Sequence, residues 1–534
     1  MEKTSHAADS ASDATHDEPP RVIGGLGAFA VVAGSMLGVG IFLFAPKIAA
    51  NMGTELGLFA MLGLGALFAW AGSVACGELG AMMPKAGGDY VFQRAAFGPS
   101  MAFASGWVLF VAIFAGSTAS MSVAVLQFDI GPLIGVDLMS PIFDDVAFLS
   151  HVTGGHLAAL GLILFLTFIN DLGTSVAAGV QTILTLAPIA ALTAIGVWGL
   201  VAGDGGASAA AANVAPATNE LTLAGIAASF IFVNFVFSGW INIIYVASEV
   251  KDPGRNIPRS MSTAILAVTA LYVLLAFAFI AVLGFGGLTE TFEAGTATAE
   301  ALGGPTMRHV ILLVISVAII TSINATILAA ARVGYAMARD GAFVKAVGRL
   351  SPKTKTPRTA LWVQAGIAMV IVLSGTFDAI VKMTSIAMFV TGSLTVASVF
   401  VLRRKLPDLP RPYRATFYPL LPALYVVLAV FAIGIETYNA VNAEGDSGEG
   451  WFPLFGIGIL VLAWAGHLLY RRNIRGAATV IGVVLAGGLA LKWAGQPPVS
   501  AHAAVIAVQT DAVATAPALK ALYETDVPQA PPNR

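Results

Sequence analysis

Three glycines, Gly34, Gly38 and Gly40, fall within seven residues of the apolar stretch Val31 to Pro46. Glycine inside a helix costs roughly 1 kcal/mol relative to alanine, so this concentration predicts a helix that unwinds and offers bare amides and carbonyls. In hydrocarbon such groups persist only where they line a cavity or meet a ligand. A helix restarting near Gly38 turns the amides of Gly38, Val39 and Gly40 toward an anion, because a helix N-terminus carries part of a positive macrodipole. Close helix packing is the other reading, since Gly34 and Gly38 have the GxxxG spacing. A second interruption, Asn234 to Trp240 (NFVFSGW), breaks another apolar run with small and polar residues.

The elements that must carry these breaks follow from composition. The 534 residues are 57% hydrophobic and 11% charged, with a mean hydropathy of +0.83, far from the ~25% charge of soluble globules. The chain reads as an all-α integral membrane protein. A crossing needs about 20 apolar residues, and twelve stretches qualify: 24–50, 56–83, 99–126, 155–170, 176–202, 222–247, 261–286, 307–338, 359–376, 383–402, 418–437 and 452–470. Residues 477–495 are long enough to be a thirteenth span but are glycine-rich and end in Lys492, Trp493 and two prolines. Residues 1–20 lack the layout of a signal peptide, and they and residues 497–534 read as disordered tails. The first break lies in span one and the second in span six. An offset of five spans, being odd, makes the second group of five enter the membrane inverted, and paired discontinuous helices in inverted halves point to a substrate site at the midplane.

Lysines and arginines set the orientation. All but six of the 28 lie in the N-terminal tail, the even-to-odd loops, the adjoining helix ends or just after span twelve, which assigns those regions to the cytoplasm and the protein to the cell (inner) membrane. Lys47, Arg308 and Lys382 fall opposite, and Lys492, Lys520 and Arg534 belong to the C-terminal part. The one cysteine, Cys76, excludes an intrachain disulfide and a cysteine metal cluster, and the seven histidines lack ligand spacing, with His467 in span twelve read as a packing residue. No hydrolase nucleophile motif, P-loop or nucleotide fingerprint occurs, so neither an enzyme nor an ATP-driven pump is expected, nor any cofactor, metal or nucleic-acid partner.

Five blocks in order then resemble the amino acid–polyamine–organocation (APC) transporters. Gly34 to Phe42, GSMLGVGIF, looks like that family's first-helix motif, and Glu78 to Pro99, ELGAMMPKAGGDYVFQRAAFGP, is similar to its helix two–three connection. Phe237 to Pro258 resembles helix six and its exit, Ala331 to Gly341 the end of helix eight, and Arg403 to Arg414 the loop after helix ten. Together they cover most of residues 21–475, and the wording around Gly239 and Glu249 is most similar to the L-type amino-acid transporter branch. The resemblance implies a LeuT-like 5+5 inverted-repeat fold with twelve transmembrane helices and secondary transport of amino acids or amines. On this reading repeat one spans about 21–202, repeat two about 222–402, and helices eleven and twelve about 418–470.

Within that frame an α-carboxylate suits the amides of Gly38, Val39 and Gly40. Carbonyls near Val32 and Ala33 and around Phe235, Phe237, Ser238 and Gly239 face an α-ammonium group. Ser35 either adds a hydroxyl to the carboxylate or bonds its own preceding turn. The central parts of spans one, three, six, eight and ten hold no Asp, Glu, Lys or Arg, so a substrate neutral overall is expected. Ile41, Trp107 and Met388 are candidate apolar walls beside the phenylalanines. By resemblance Phe235 takes the position of an aromatic gate. Glu249 pairs with Arg332 or Arg21, as an inner gate or as a scaffold, and Pro253 and Pro258 stop helix six.

Coupling is open to a proton or to sodium. Residues 176–202 hold no ionisable side chain, which departs from proton-coupled relatives with a lysine in the fifth span. Carbonyls of span one near Val32, with Thr321 and Ser322 of span eight, are a candidate ion site, although such hydroxyls are common in membrane helices. Exchange or facilitated diffusion requires no ion. Mammalian L-type carriers pair with a glycoprotein through a cysteine, but loop 127–154 has none, so no disulfide-linked ancillary subunit is expected. The rivals are a carrier of polyamines or other amines, which calls for acidic residues near the first break, a transporter-like sensor, and an ion channel.

Overall fold

The computed structural model describes residues 21–142, 152–172, 174–203, 221–374, 377–442 and 455–470. Among these, helices and turns account for the regular structure, with two isolated backbone bridges, Ile23 to Val250 and Pro141 to Thr153, and no sheet. The helices are α1 (Gly25–Met36), α2 (Gly40–Met52), α3 (Glu55–Met82), α4 (Asp89–Phe97), α5 (Pro99–Ile134), α6 (Gly154–Asp171), α7 (Thr174–Ala202), α8 (Leu223–Val236), α9 (Pro253–Glu290), α10 (Ala294–Arg339), α11 (Arg358–Val372), α12 (Phe377–Lys405), α13 (Leu420–Asn442) and α14 (Phe455–Tyr470).

Among the described residues eight helices are long and apolar enough to cross a membrane, and the pair α1–α2, bent by 46°, makes a ninth. Three shorter apolar helices, α8, α11 and the Ile457–Leu469 part of α14, occupy the remaining expected stretches. The expected span 222–247 departs most, since its helix stops at Val236 and short 3-10 turns at Asn242–Ile244 and Ala247–Glu249 replace the second half. The expected segment 477–495 and the tails 1–20 and 497–534 lie outside the described residues.

Burial separates the roles of the helices. The most apolar window of α5 is 94% buried against 28% for that of α7, so α5 is a central post and α7 is peripheral. An all-round apolar sequence suits such a post, and its wide π-helical turns at Val108–Ala115 and Val125–Ile130 interrupt the α-ladder, a feature frequent at functional sites. Helix α9 packs along α3, α1 lies against α7 and α9, and α2 lies against α8. Thr54 and Thr222 cap α3 and α8 by accepting from Gly57 and Gly225 amides, and the Glu293 carboxylate takes the Gly295 and Thr296 amides of α10, each at 2.9 Å.

On the side bearing most lysines and arginines, the bundle is stapled through Glu78 at the end of α3. Its carboxylate accepts from Arg403 of α12 at 3.0 and 2.6 Å and from the Ala415 amide at 2.7 Å, with Arg411 at 3.4 Å. A nearly fully buried carboxylate is held there by charge and hydrogen bonds together. The N-terminal segment is pinned to the same side, where the Ile23 amide donates to Glu249 and the Lys251 amide to Ile23.

Candidate functional site

Both predicted interruptions are unwound, and they touch. Helix α1 ends at Met36, the Gly38 amide turns back to the Met36 carbonyl at 2.9 Å, and α2 restarts at Gly40. Helix α8 ends at Val236, and the chain turns through Gly239, whose φ of 96° favours glycine. A Cβ at residue 239 would lie 2.6 Å from the Ser35 carbonyl carbon, and one at residue 40 would lie 2.7 Å from the Val236 Cα. Gly239 and Gly40 are therefore demanded by backbone crossing backbone. Gly34 abuts the Thr185 hydroxyl, whereas at Gly38 a Cβ would meet only ordinary contacts at 3.8 and 3.9 Å. Close packing and an opened backbone thus coexist at the same break.

The free helix ends have partners from elsewhere in the bundle. The Tyr272 hydroxyl of α9 donates to the Met36 carbonyl at 2.6 Å and lies 3.4 Å from that of Val236, so one side chain spans the carbonyl ends of both half-helices. Ser322 of α10 donates to the Ser35 carbonyl at 3.0 Å. The Ser35 hydroxyl donates to Val31 at 2.7 Å, the local bond that serines in helices favour. Thr321 likewise donates to Val317 in its own turn, and Val32 is fully buried.

Between the breaks lies a cavity of about 70 Å³. Ser35, Phe235, Ser238 and Gly239 line it, as does Met388. Gly38, Val39, Gly40 and Phe237 do not: Val39 and Phe237 are buried beside it, and Phe237 packs edge-on against Tyr272. The first intrahelical bond of α2 runs from the Leu43 amide to Val39, so the amides of Val39, Gly40, Ile41 and Phe42 have no partner within the helix; of the three expected amides, that of Gly38 is instead taken by Met36. Ile41 is buried away from the cavity, and Trp107 stacks on Phe343.

Sequence reasoning missed the acid in this cavity. Asp89, at the start of α4 in the connection between two spans, lines it and is 2% exposed. One carboxylate oxygen accepts from the Tyr245 hydroxyl at 2.9 Å, and the other finds no partner among the described residues. Burial pushes its pKa up to about 7, against the opposing pull of the Tyr245 and Thr395 hydroxyls. A search confined to the centres of spans passes over it, because the turn at Gly87 and Gly88, both with positive φ, folds the connection back into the bundle. Tyr245, Tyr425, Asn234, Asn242, Ser117, Thr326 and Thr391 are also part of the polar lining.

The remaining candidates make polar contacts outside the cavity. Glu249 pairs with Arg332, whose Nε and Nη2 lie 3.1 and 3.0 Å from one carboxylate oxygen, both side chains being about 95% buried; Arg21 is exposed. Gln181 of α7, Asn324 of α10 and Asn170 of α6 form an amide ladder, with Asn324 donating to Gln181 at 3.3 Å and Asn170 to Asn324 at 2.6 Å. His467 lies 3.0 Å from the Ser100 hydroxyl and stacks on Phe103.

Apolar helices of crossing length around a cavity walled by two broken helices define a multi-pass membrane transporter of small molecules. Residues 23–464 match the amino acid permease family, and the chain belongs to it, within the APC superfamily. It is a permease, not an enzyme. Among its relatives is the serine/threonine exchanger SteT of Bacillus subtilis, 28% identical over 77% of this chain and 90% of that protein. The b(0,+)-type amino acid transporter 1 of Mus musculus is 25% identical over 81% of this chain and 85% of its own length. The large neutral amino acids transporter small subunit 2 of the same species is 25% identical over 77% and 75%.

Proposed function

We propose that the protein carries small neutral amino acids across the cell membrane by alternating access, as an exchanger or facilitator rather than an ion-coupled symporter. The observation that carries this reading is the small cavity walled by opened backbone at Ser35 and at Ser238–Gly239. At roughly 10–15 Å³ per water-sized position, its volume of about 70 Å³ suits a molecule of a few non-hydrogen atoms. The name of the Bacillus subtilis relative, a serine/threonine exchanger, supports both the substrate size and the exchange mode. The substrate's backbone groups meet the opened main chain at Ser35 and Ser238–Gly239, which line the cavity, with the α-ammonium toward the carbonyl ends of α1 and α8. Phe235, which lines the cavity and packs edge-on against Phe44 at 5.8 Å, is the aromatic gate.

Twelve spans in a 5+5 inverted repeat with a cytoplasmic N-terminus complete the proposal, the latter on the asymmetry of lysine and arginine. Against a sodium site, the Thr321 and Ser322 hydroxyls both donate into main-chain carbonyls, and against proton coupling through the fifth span, residues 176–202 hold no ionisable side chain. Against a disulfide-linked subunit, Cys76, the one cysteine, is buried. A second reading, transport of cationic amines, is favoured by Asp89, the one charged side chain in the lining, and a short diamine fits the cavity as a small amino acid does.

Uptake of labelled amino acids into proteoliposomes, with and without internal substrate, a sodium gradient and a pH gradient, tests the reading. Uptake stimulated by internal alanine or serine and indifferent to both gradients is expected. Absence of transport for every amino acid overturns it, and faster uptake of putrescine than of any amino acid installs the amine reading.

A further inference from the structure

The cavity is lined by two unlike kinds of polar group. One is opened backbone at Ser35 and Ser238–Gly239; elsewhere its wall carries a single acidic side chain, Asp89, brought in by α4 from outside the spans. A carboxylate has two oxygens and about four acceptor positions. Asp89 spends one oxygen on Tyr245 and leaves the other unpartnered while 98% buried, a costly arrangement unless a ligand completes it. The Thr395 hydroxyl acts on the same carboxyl, but the Gln93 amide, four residues on, donates instead to Thr395 at 2.8 Å and to the Thr391 carbonyl at 3.1 Å.

We propose that Asp89 is a specificity-determining residue, its free oxygen accepting a hydrogen bond from the side-chain hydroxyl of a small amino acid held by its backbone groups at the two breaks. This rests on the amino-acid reading above and narrows its substrate class to hydroxyl-bearing side chains. The physical ground is that a buried acceptor left unpaired penalises an analogue that cannot pair with it far more than a change of shape does. Threonine and valine have the same shape and differ in that hydroxyl, which makes them the sharpest comparison. Lysine-like side chains satisfy the charge but exceed the volume of the cavity.

The test measures threonine and valine uptake by the full-length protein in proteoliposomes, alongside the thermal shift each amino acid gives the detergent-solubilised protein. The wild type is expected to prefer threonine about ten- to a hundredfold, the range of a hydrogen bond to a charged group. In Asp89→Ala the ratio falls toward one, and in Asp89→Asn, which keeps an acceptor oxygen, an intermediate preference survives. If Asp89→Ala does not fold, the Asp89→Asn ratio and the thermal shifts decide. Robust amino-acid uptake with an unchanged threonine-to-valine ratio in the variants overturns the inference while leaving the transport reading intact. Failure to transport any amino acid overturns that reading itself.

Discussion

Gly239 lies against the carbonyl of Ser35 so closely that a Cβ would sit 2.6 Å from its carbon, and this contact brings the two broken helices together. With φ at 96°, residue 239 also holds a backbone conformation that other residues avoid. Gly239→Ala is expected to reduce uptake at least tenfold and to lower thermal stability, because backbone must move against backbone. Gly40→Ala, facing the Val236 Cα, should do the same. Gly38→Ala should retain at least half of wild-type uptake, since its Cβ has room and its amide already serves Met36. Equal loss at residues 38 and 239 would contradict this division.

Tyr272 joins the ends of α1 and α8 with one hydroxyl. Tyr272→Phe removes that donor while keeping the ring beside Phe237. Interhelical hydrogen bonds in membrane proteins contribute about 1 kcal/mol. The expected result is a small fall in the melting temperature of the purified protein and a several-fold fall in uptake, with the order of preferred substrates unchanged.

The Glu249–Arg332 pair is buried, and removing one partner of such a pair costs about 3–5 kcal/mol by stranding the other charge. Arg332→Met is therefore expected to lower the yield of folded protein sharply. Glu249→Gln with Arg332→Met, which leaves no charge, should recover much of it. Restored protein with restored transport marks a scaffold; restored protein without transport marks a gate.

Asp89, raised by burial to about 7, predicts a pH dependence of selectivity. A raised acid ionises only as pH climbs past its shifted value, so its carboxylate rises from about a tenth at pH 6 to about nine tenths at pH 8. The threonine-to-valine uptake ratio should grow over that interval, because the charged acceptor bonds more strongly. The thiol of Cys76 and the phenols of Tyr245 and Tyr425 face the same carboxyl from α3, the segment after α8, and α13; Thr395 of α12 adds a hydroxyl. In Asp89→Asn the slope should vanish, and a slope that persists assigns the pH effect to another group.

Legible in the sequence were the helical class, most of the apolar stretches and the two breaks, since hydropathy and glycine clusters are local properties that hydrocarbon reads directly. The family too was legible, from five ordered blocks, and residues 23–464 match it. The tertiary structure decided which glycine meets which backbone, that Glu249 takes Arg332, that Tyr272 serves two helix ends, and that the cavity reaches Ser35 and Ser238 but not Gly38 to Gly40. It alone brought Asp89 from a connecting segment into the bundle. Span-by-span reasoning sorts residues by depth along the chain, whereas a cavity collects side chains by proximity in space, and a folded connection crosses that sorting.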